Sequence, residues 1–312
     1  MEKLTILGAG TMGHSIALSA AWSGQTPTVY GINEQDVANA DKGLAQKLAV
    51  MADNGLFDEN EAQEIRERIR FTTSLKEAVQ NATFILEVVP ENLQLKRDLY
   101  KQLESLVDQS VIIASNTSGF KPSLLAEEMA HPGRFIVAHF WNPGHLIPLV
   151  EVVNGEQTEV ETTKRTMALL KLMNKKPILL NKELPGFIGN RLQYALFREA
   201  QALLDAGAAS KEDIDAAVTY SIGRRLPVTG PLMTADMGGL DVFSAISNYL
   251  FEELSDDQRS GKVLSELVEQ QKLGDKTGEG FYNWEPEVSE GINRKREQTL
   301  IQFLKNDLEQ EG

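Results

Sequence analysis

The sequence predicts an α/β chain in which a doubly wound, parallel sheet is followed by an all-helical C-terminal domain. Three observations carry this. A glycine-rich turn joins an apolar strand to a helix near the start, short apolar runs alternate with helix-spaced segments to about residue 183, and helical spacing takes over afterwards. A length of 312 residues suits two domains, each able to bury its own core. The expected division is 1–183 and 184–312, with Leu184, Pro185 and Gly186 as the hinge.

The opening LTIL of Leu4 to Leu7 reads as a buried strand that breaks into Gly8, Gly10 and Gly13. A helix is expected from about Met12 to Ser23, because Ile16, Ala17, Ala20 and Ala21 recur at helical spacing and Gly24 stands where a helix would stop. Thr28 to Tyr30 returns to strand. Strand, turn, helix and strand in so short a span form a βαβ unit, which implies parallel pairing. From Asp36 to Arg70 the chain is charged and helix-prone, with Leu44, Leu48, Met51 and Leu56 on one face, so a helical hairpin is expected. Residues 82–90, 111–115, 135–140, 149–153 and 177–180 are further short strands, with a helix carried by Leu95, Leu99, Leu103 and Leu106. Beyond the hinge, 187–206 is one long amphipathic segment, and Ser210 with Asp213 forms a capping box for the next helix. The charged tail after Trp284 reads as a solvated helix.

Composition narrows the function. Lys and Arg total 31 against 45 Asp and Glu, a net charge of −14, which repels phosphate backbones and anionic lipid. Nucleic acid is not an expected partner. There is no cysteine, so thiolate catalysis and Cys-ligated zinc are excluded, and the four histidines lack metal-ligand spacing. No apolar run has the ~18 residues of a membrane span, and no n-region precedes the first strand. A cytoplasmic protein acting on a small molecule is expected.

Gly8, Gly10 and Gly13 spell G-x-G-x-x-G directly after a strand and at a helix start, with Thr11 and Met12 between the last two. In that setting the first glycine permits the tight turn, the second lets backbone approach a pyrophosphate, and the third packs helix on sheet. The expected fold is therefore Rossmann-like and the expected ligand a dinucleotide. The acidic residue that reads the adenosine ribose is expected ~20 residues on, at the end of the second strand. Gly31 occupies that place. Asn33 and Glu34 stand close by, no Lys or Arg is there to welcome a 2′-phosphate, and NAD is expected over NADP.

An acid/base centre is suggested by His139, which ends an apolar strand before the turn Trp141, Asn142, Pro143 that would set its ring at a sheet edge. Glu151 lies among the valines of LVEVV, where a lone carboxylate needs a partner. Pairing the two gives a general base oriented by a carboxylate. The residues alone equally allow a core histidine beside a solvent-facing glutamate.

The segments LGAGTMG, EVVPENLQLK, SNTSG, HFWNP, LVEVV, PGFIGNR and DKTGEGFY, in this order over nearly the whole chain, resemble the 3-hydroxyacyl-CoA dehydrogenase family. The resemblance implies NAD-dependent oxidation of a 3-hydroxy group, a place in fatty acid metabolism, and a homodimer through the helical domain. It assigns His139 as the base, Glu151 as its orienting carboxylate, and Ser118 and Asn190 as contacts to the substrate hydroxyl. Cofactor contacts carried over are Gly8, Gly10 and Gly13, then Glu91, Lys96, Ser118, Asn142 and Lys276. Other readings of these residues are a helix cap for Ser118, a surface amide for Asn190, a solvated charge for Lys96 and a turn role for Lys276. The substrate is a CoA ester or a free polar 3-hydroxy acid of the gulonate or carnitine type. The hairpin has only Lys42 and Lys47 followed by carboxylates, which is poor material for a CoA phosphate. A crystallin-like dinucleotide-binding protein without turnover is the reading from another class.

Overall fold

The computed structural model describes residues 2–311, with side-chain surroundings through residue 309. Contacts divide the chain into two units, one running to Ile188 and including the residues from Lys295 onward, the other Gly189–Arg294. In the first unit the order is β1 (Leu4–Leu7), α1 (Thr11–Trp22), β2 (Thr28–Tyr30), α2 (Glu34–Asp53), α3 (Glu59–Glu67), β3 (Arg70–Thr72), α4 (Leu75–Val79) and β4 (Phe84–Glu87). It continues with α5 (Leu93–Leu106), β5 (Ile112–Ser115), α6 (Pro122–Leu125), β6 (Phe135–Phe140), β7 (Leu149–Asn154), α7 (Val160–Leu172) and β8 (Lys176–Leu180).

The strands form one eight-stranded sheet in the order β3-β2-β1-β4-β5-β6-β7-β8. Every residue of β1, β4, β5 and β6 is buried, as strands covered on both faces must be. The glycine turn follows from close packing. Gly8 has φ +119°, and a Cβ on Gly13 would stand 1.8 Å from the Gly8 carbonyl oxygen, so no side chain is admitted there.

Three features depart from expectation. The sheet is not wholly parallel, because β7 runs antiparallel to β6. Residues 141–148 are too few for the crossover that parallel neighbours need, so the chain turns straight back. Second, α7 carries no plain apolar stripe. Its buried face includes Thr162, Thr163 and Thr166, whose hydroxyls bond Gly133 O, Asn154 Oδ1 and Thr162 O, so its helical period is masked by hydroxyl groups. Third, the C-terminal helix is not simply solvated. Ile301 and Leu304 are buried in the cluster that holds Leu44, Leu48 and Met51 of α2, which returns the end of the chain to the first unit instead of leaving it with 184–294.

The second unit holds α8 (Gly189–Asp205), α9 (Lys211–Ala217), α10 (Gly223–Arg225), α11 (Pro231–Gly238), α12 (Leu240–Leu250), α13 (Lys262–Glu269) and the start of α14 (Pro286–Glu311). Ser210 caps α9 as expected, its Oγ accepting from Asp213 N at 3.1 Å. Among the described residues no helix is long and apolar enough to cross a membrane.

A group of bases lies inside the first unit around α1. His14 donates from Nδ1 to Ala9 O at 3.3 Å, and its Nε2 receives the Lys47 ammonium at 3.0 Å. Gly43 on α2 makes room for that ring, since a Cβ there would stand 2.7 Å from Nε2. His145 bonds Ser15 Oγ through its Nδ1 at 2.8 Å, and burial beside Lys47 and Lys175 holds its pKa down at about 3. Lys175 donates to Gly144 O at 2.7 Å and Ile147 O at 3.2 Å, fixing the loop that follows β6. Burial lowers its pKa to about 7. Between that value and its ordinary pKa the unfolded chain binds a proton that the folded chain does not, so the Lys175 contribution to stability rises with pH across that window. Urea unfolding at pH 7 and pH 9 checks this. The wild type should gain of order 2 kcal/mol relative to Lys175→Met between the two pH values, and parallel behaviour of the two proteins would contradict it.

Candidate active site

The antiparallel register places His139 of β6 directly opposite Glu151 of β7. Directly opposed side chains have Cβ atoms ~5 Å apart, so the pairing follows from the strands themselves. His139 Nδ1 donates to Glu151 Oε2 at 2.9 Å, with the carboxylate fully buried and the imidazole 5% exposed. Glu151 is therefore not a solvent-facing residue. Nor does the ring stand at a sheet edge, because β7 and β8 continue the sheet beyond β6 and the ring sits at the C-terminal end of an interior strand.

Two groups absent from the sequence-based site also bond the carboxylate. Trp141 Nε1 donates to Glu151 Oε2 at 3.2 Å, and Ile188 N donates to Oε1 at 2.8 Å. The imidazole is flanked by the rings of Trp141 and Phe187, each with its centroid 5.5 Å away. Phe187 is fully buried with φ +52°, a left-handed conformation that costs a non-glycine residue roughly 1–3 kcal/mol. That turn aims the Phe187 ring at His139 and the next N–H at Glu151. The bond to Glu151 engages Nδ1 and leaves Nε2 as the other ring nitrogen.

The glycine turn leads into α1, whose N-cap is Gly10 without a side-chain cap and whose first turn, with Thr11, Met12 and Gly13, holds no acidic residue. A Cβ on Gly10 would meet nothing within 4 Å, so the protein's own packing does not demand glycine there. Uncapped N–H groups at the start of a 12-residue helix and an open Cα fit a pyrophosphate brought close to backbone. At Gly31 no acidic side chain has room, because a Cβ would stand 2.9 Å from Val37 Cγ2 and 3.2 Å from Asp36 Oδ2. The Asp36 carboxylate thus comes from α2 to the place the missing acid would enter. Asn33 is the N-cap of α2, its Oδ1 accepting from Asp36 N at 2.8 Å, and Glu34 accepts from Thr73.

Glu91 and Lys96 lie together, with Lys96 Nζ 3.3 Å from Glu91 Oε2. Lys96 is not a solvated charge. It is 1% exposed and donates to Glu87 Oε1 at 2.7 Å. Glu87, the last residue of β4, was missed, although a lone carboxylate among the apolar residues of FILEVV is the signal that marked Glu151 in LVEVV. Ser118 is exposed, its N donates to Glu91 Oε1 at 3.2 Å, and the N-cap of α6 is Lys121, so Ser118 does not cap that helix. Asn142 is exposed in the loop after β6. Asn190 stands in the first turn of α8, and Lys276 is exposed in the turn Asp275–Thr277 between Gly274 and Gly278, both at positive φ. Those two residues belong to the second unit.

Comparison with known proteins places these features in a family. The NAD-binding domain of 3-hydroxyacyl-CoA dehydrogenase matches residues 3–184, and the C-terminal domain of the same family matches 186–284. The 5-formyl-3-hydroxy-2-methylpyridine 4-carboxylate 5-dehydrogenase of Mesorhizobium japonicum is 32% identical over 96% of this chain and 96% of its own. A probable 3-hydroxybutyryl-CoA dehydrogenase of Deinococcus radiodurans is 37% identical over 90% of this chain and 100% of its own. A crystal structure of a 5-formyl-3-hydroxy-2-methylpyridine 4-carboxylic acid 5-dehydrogenase, described as an NAD+-dependent dismutase, superposes with a TM-score of 0.91 at 31% identity over 98% of both chains. The chain belongs to the 3-hydroxyacyl-CoA dehydrogenase family of NAD-dependent oxidoreductases.

Proposed function

We propose that the protein interconverts the hydroxyl and carbonyl forms of a small free hydroxy acid, with His139 as the proton-transferring residue. The observation that carries this is the Glu151 carboxylate, buried and bonded by His139, Trp141 and Ile188 N. NAD, when bound, supplies the two-electron acceptor for the carbinol carbon. His139 Nε2 takes the hydroxyl proton, and Glu151 offsets the positive charge that the ring gains. Because the Trp141 and Ile188 donors hold Glu151 as an acceptor, the carboxylate orients the ring and does not itself take the proton. Ser118 holds the reacting oxygen, while the α1 turn, Glu91 and Asn142 serve the cofactor. Asp36 takes the ribose-reading place left empty by Gly31, and its charge disfavours a 2′-phosphate.

The free-acid reading is supported by the hairpin. Lys47 has its ammonium turned inward onto His14, which leaves Lys42 on α2 before the carboxylates of Asp53, Asp58, Glu59 and Glu61. A 3′-phosphate adenosine group meets repulsion there. The Mesorhizobium relative is named for a carboxylate without CoA. The acyl-CoA reading is favoured by the Deinococcus relative, named for 3-hydroxybutyryl-CoA. NADH consumption with acetoacetyl-CoA beside free acetoacetate separates the two. Preference for the free acid supports the proposal, and turnover of the ester alone overturns it. His139→Gln should lower turnover at least 100-fold while NADH still binds, and activity retained in that variant would remove His139 from the base role.

We also propose that a second copy of the chain covers the helical unit. No residue from 189 to 300 is buried, while Val228 and Leu232 are each 82% exposed and Met237 76%. Apolar surface so extensive marks an association face. Light scattering should give twice the 34.5 kDa chain mass, and a monomer at micromolar concentration would contradict it.

A further inference from the structure

The loop of residues 141–148 between β6 and β7 carries Asn142 and Trp141, whose indole bonds Glu151, and one side-chain pair fastens this loop to α1. Ser15 stands on α1 just after the glycine turn and is fully buried, while His145 is 2% exposed. Two groups of His145 meet the same hydroxyl. Its backbone N donates to Ser15 Oγ at 3.1 Å, and its Nδ1 shares a second hydrogen bond of 2.8 Å with that oxygen. A hydroxyl has one hydrogen and two lone pairs, so it can serve both groups at once. Burial beside the neighbouring cations keeps the His145 ring neutral near pH 7, so the pair carries no charge there.

The rest of the loop is shaped to meet α1. A Cβ on Gly144 would stand 3.1 Å from Ile16 Cγ1 and 3.5 Å from both Met12 Cε and Ser15 Oγ, so the loop backbone lies close against the helix. Leu146 enters the apolar cluster that holds Ile16 and Ala17, and Pro143 O accepts from Leu146 N and Ile147 N, each at 3.0 Å. Lys175, just before β8, donates to Gly144 O and Ile147 O. Apolar contact and these backbone bonds already bury the loop. The Ser15–His145 pair adds direction, and it does so at a cost, because His145 Nε2 has no hydrogen-bond partner among the described residues. Since α1 begins at the glycine turn, the pair ties the segment shaped for a pyrophosphate to the loop that bonds Glu151 through Trp141.

We propose that Ser15 and His145 are positioning residues that fix the spacing between the glycine turn at the start of α1 and the 141–148 loop beside His139 and Glu151. This rests on the reading of the glycine turn and Asn142 as cofactor contacts. Ser15→Ala removes the hydroxyl and leaves a buried polar ring, whereas the double variant Ser15→Ala/His145→Leu makes the contact apolar and removes the unpartnered nitrogen. NADH fluorescence titration, kcat and melting temperature separate geometry from stability. Ser15→Ala should weaken NADH binding about fivefold or more, reduce kcat about tenfold and lower the melting temperature. The double variant should regain the wild-type melting temperature while NADH affinity and kcat stay reduced. His145→Asn, whose amide can take the Nδ1 place, should keep both within about threefold of wild type. A double variant that regains melting temperature, NADH affinity and kcat together would make the pair a fold stabiliser and overturn the proposal. A folded Ser15→Ala protein with wild-type NADH affinity and kcat would overturn it as well. Should Ser15→Ala fail to fold, the double variant decides by the same comparison. Asn142→Ala tests the underlying reading separately, since wild-type NADH affinity there would remove Asn142 from the cofactor site whatever the Ser15 variants do. Each kcat is taken relative to wild type on the substrate that is turned over, so the choice between free acid and ester does not enter.

Discussion

The antiparallel register between β6 and β7 is the constraint on which the rest of the site depends. It sets His139 across from Glu151, and it exists because the loop between the strands is too short for a crossover. The reversal also brings Trp141 back over the pair. The chain then leaves β8 through a left-handed turn at Phe187 that closes the other side of the imidazole. A buried carboxylate in a strand is costly when alone. Here the His139 imidazole, the Trp141 indole and the Ile188 N–H make the position tenable.

Glu151 and Glu87 show two uses of the same device. Both are fully buried acids at sheet positions flanked by apolar residues, and both have their oxygens filled by N–H or O–H donors. They differ in the partner. Glu151 faces the His139 imidazole, the group to which the proposed reaction assigns the proton. Glu87 faces the Lys96 ammonium at 2.7 Å, a pair that is almost wholly buried.

Most of the fold was legible from periodicity and punctuation. The strand at 4–7, the glycine turn, the α2–α3 hairpin and the cap at Ser210 follow local rules that act within a few residues. Short β3 has three residues and little apolar content, α7 hides its buried face behind threonines, and α14 buries only its last turns, so each escaped a local reading. At the site, the apolar surroundings of Glu151 pointed to His139 as its partner, and the register decides against the alternative of a solvent-facing glutamate. Gly31 was legible as a missing acid, while the approach of the Asp36 carboxylate to that place depends on how α2 starts against the strand end. Ile188 contributes a backbone N–H, which no side-chain motif can announce.

The claim that a buried carboxylate supports proton transfer by His139 is tested most directly by Glu151→Gln, which keeps the shape and an acceptor oxygen but removes the charge. Steady-state turnover measured beside NADH affinity should show kcat reduced by about 100-fold or more with NADH binding unchanged. Wild-type turnover in a folded Glu151→Gln protein would contradict the account, because the charge at that position would then have no part in the reaction.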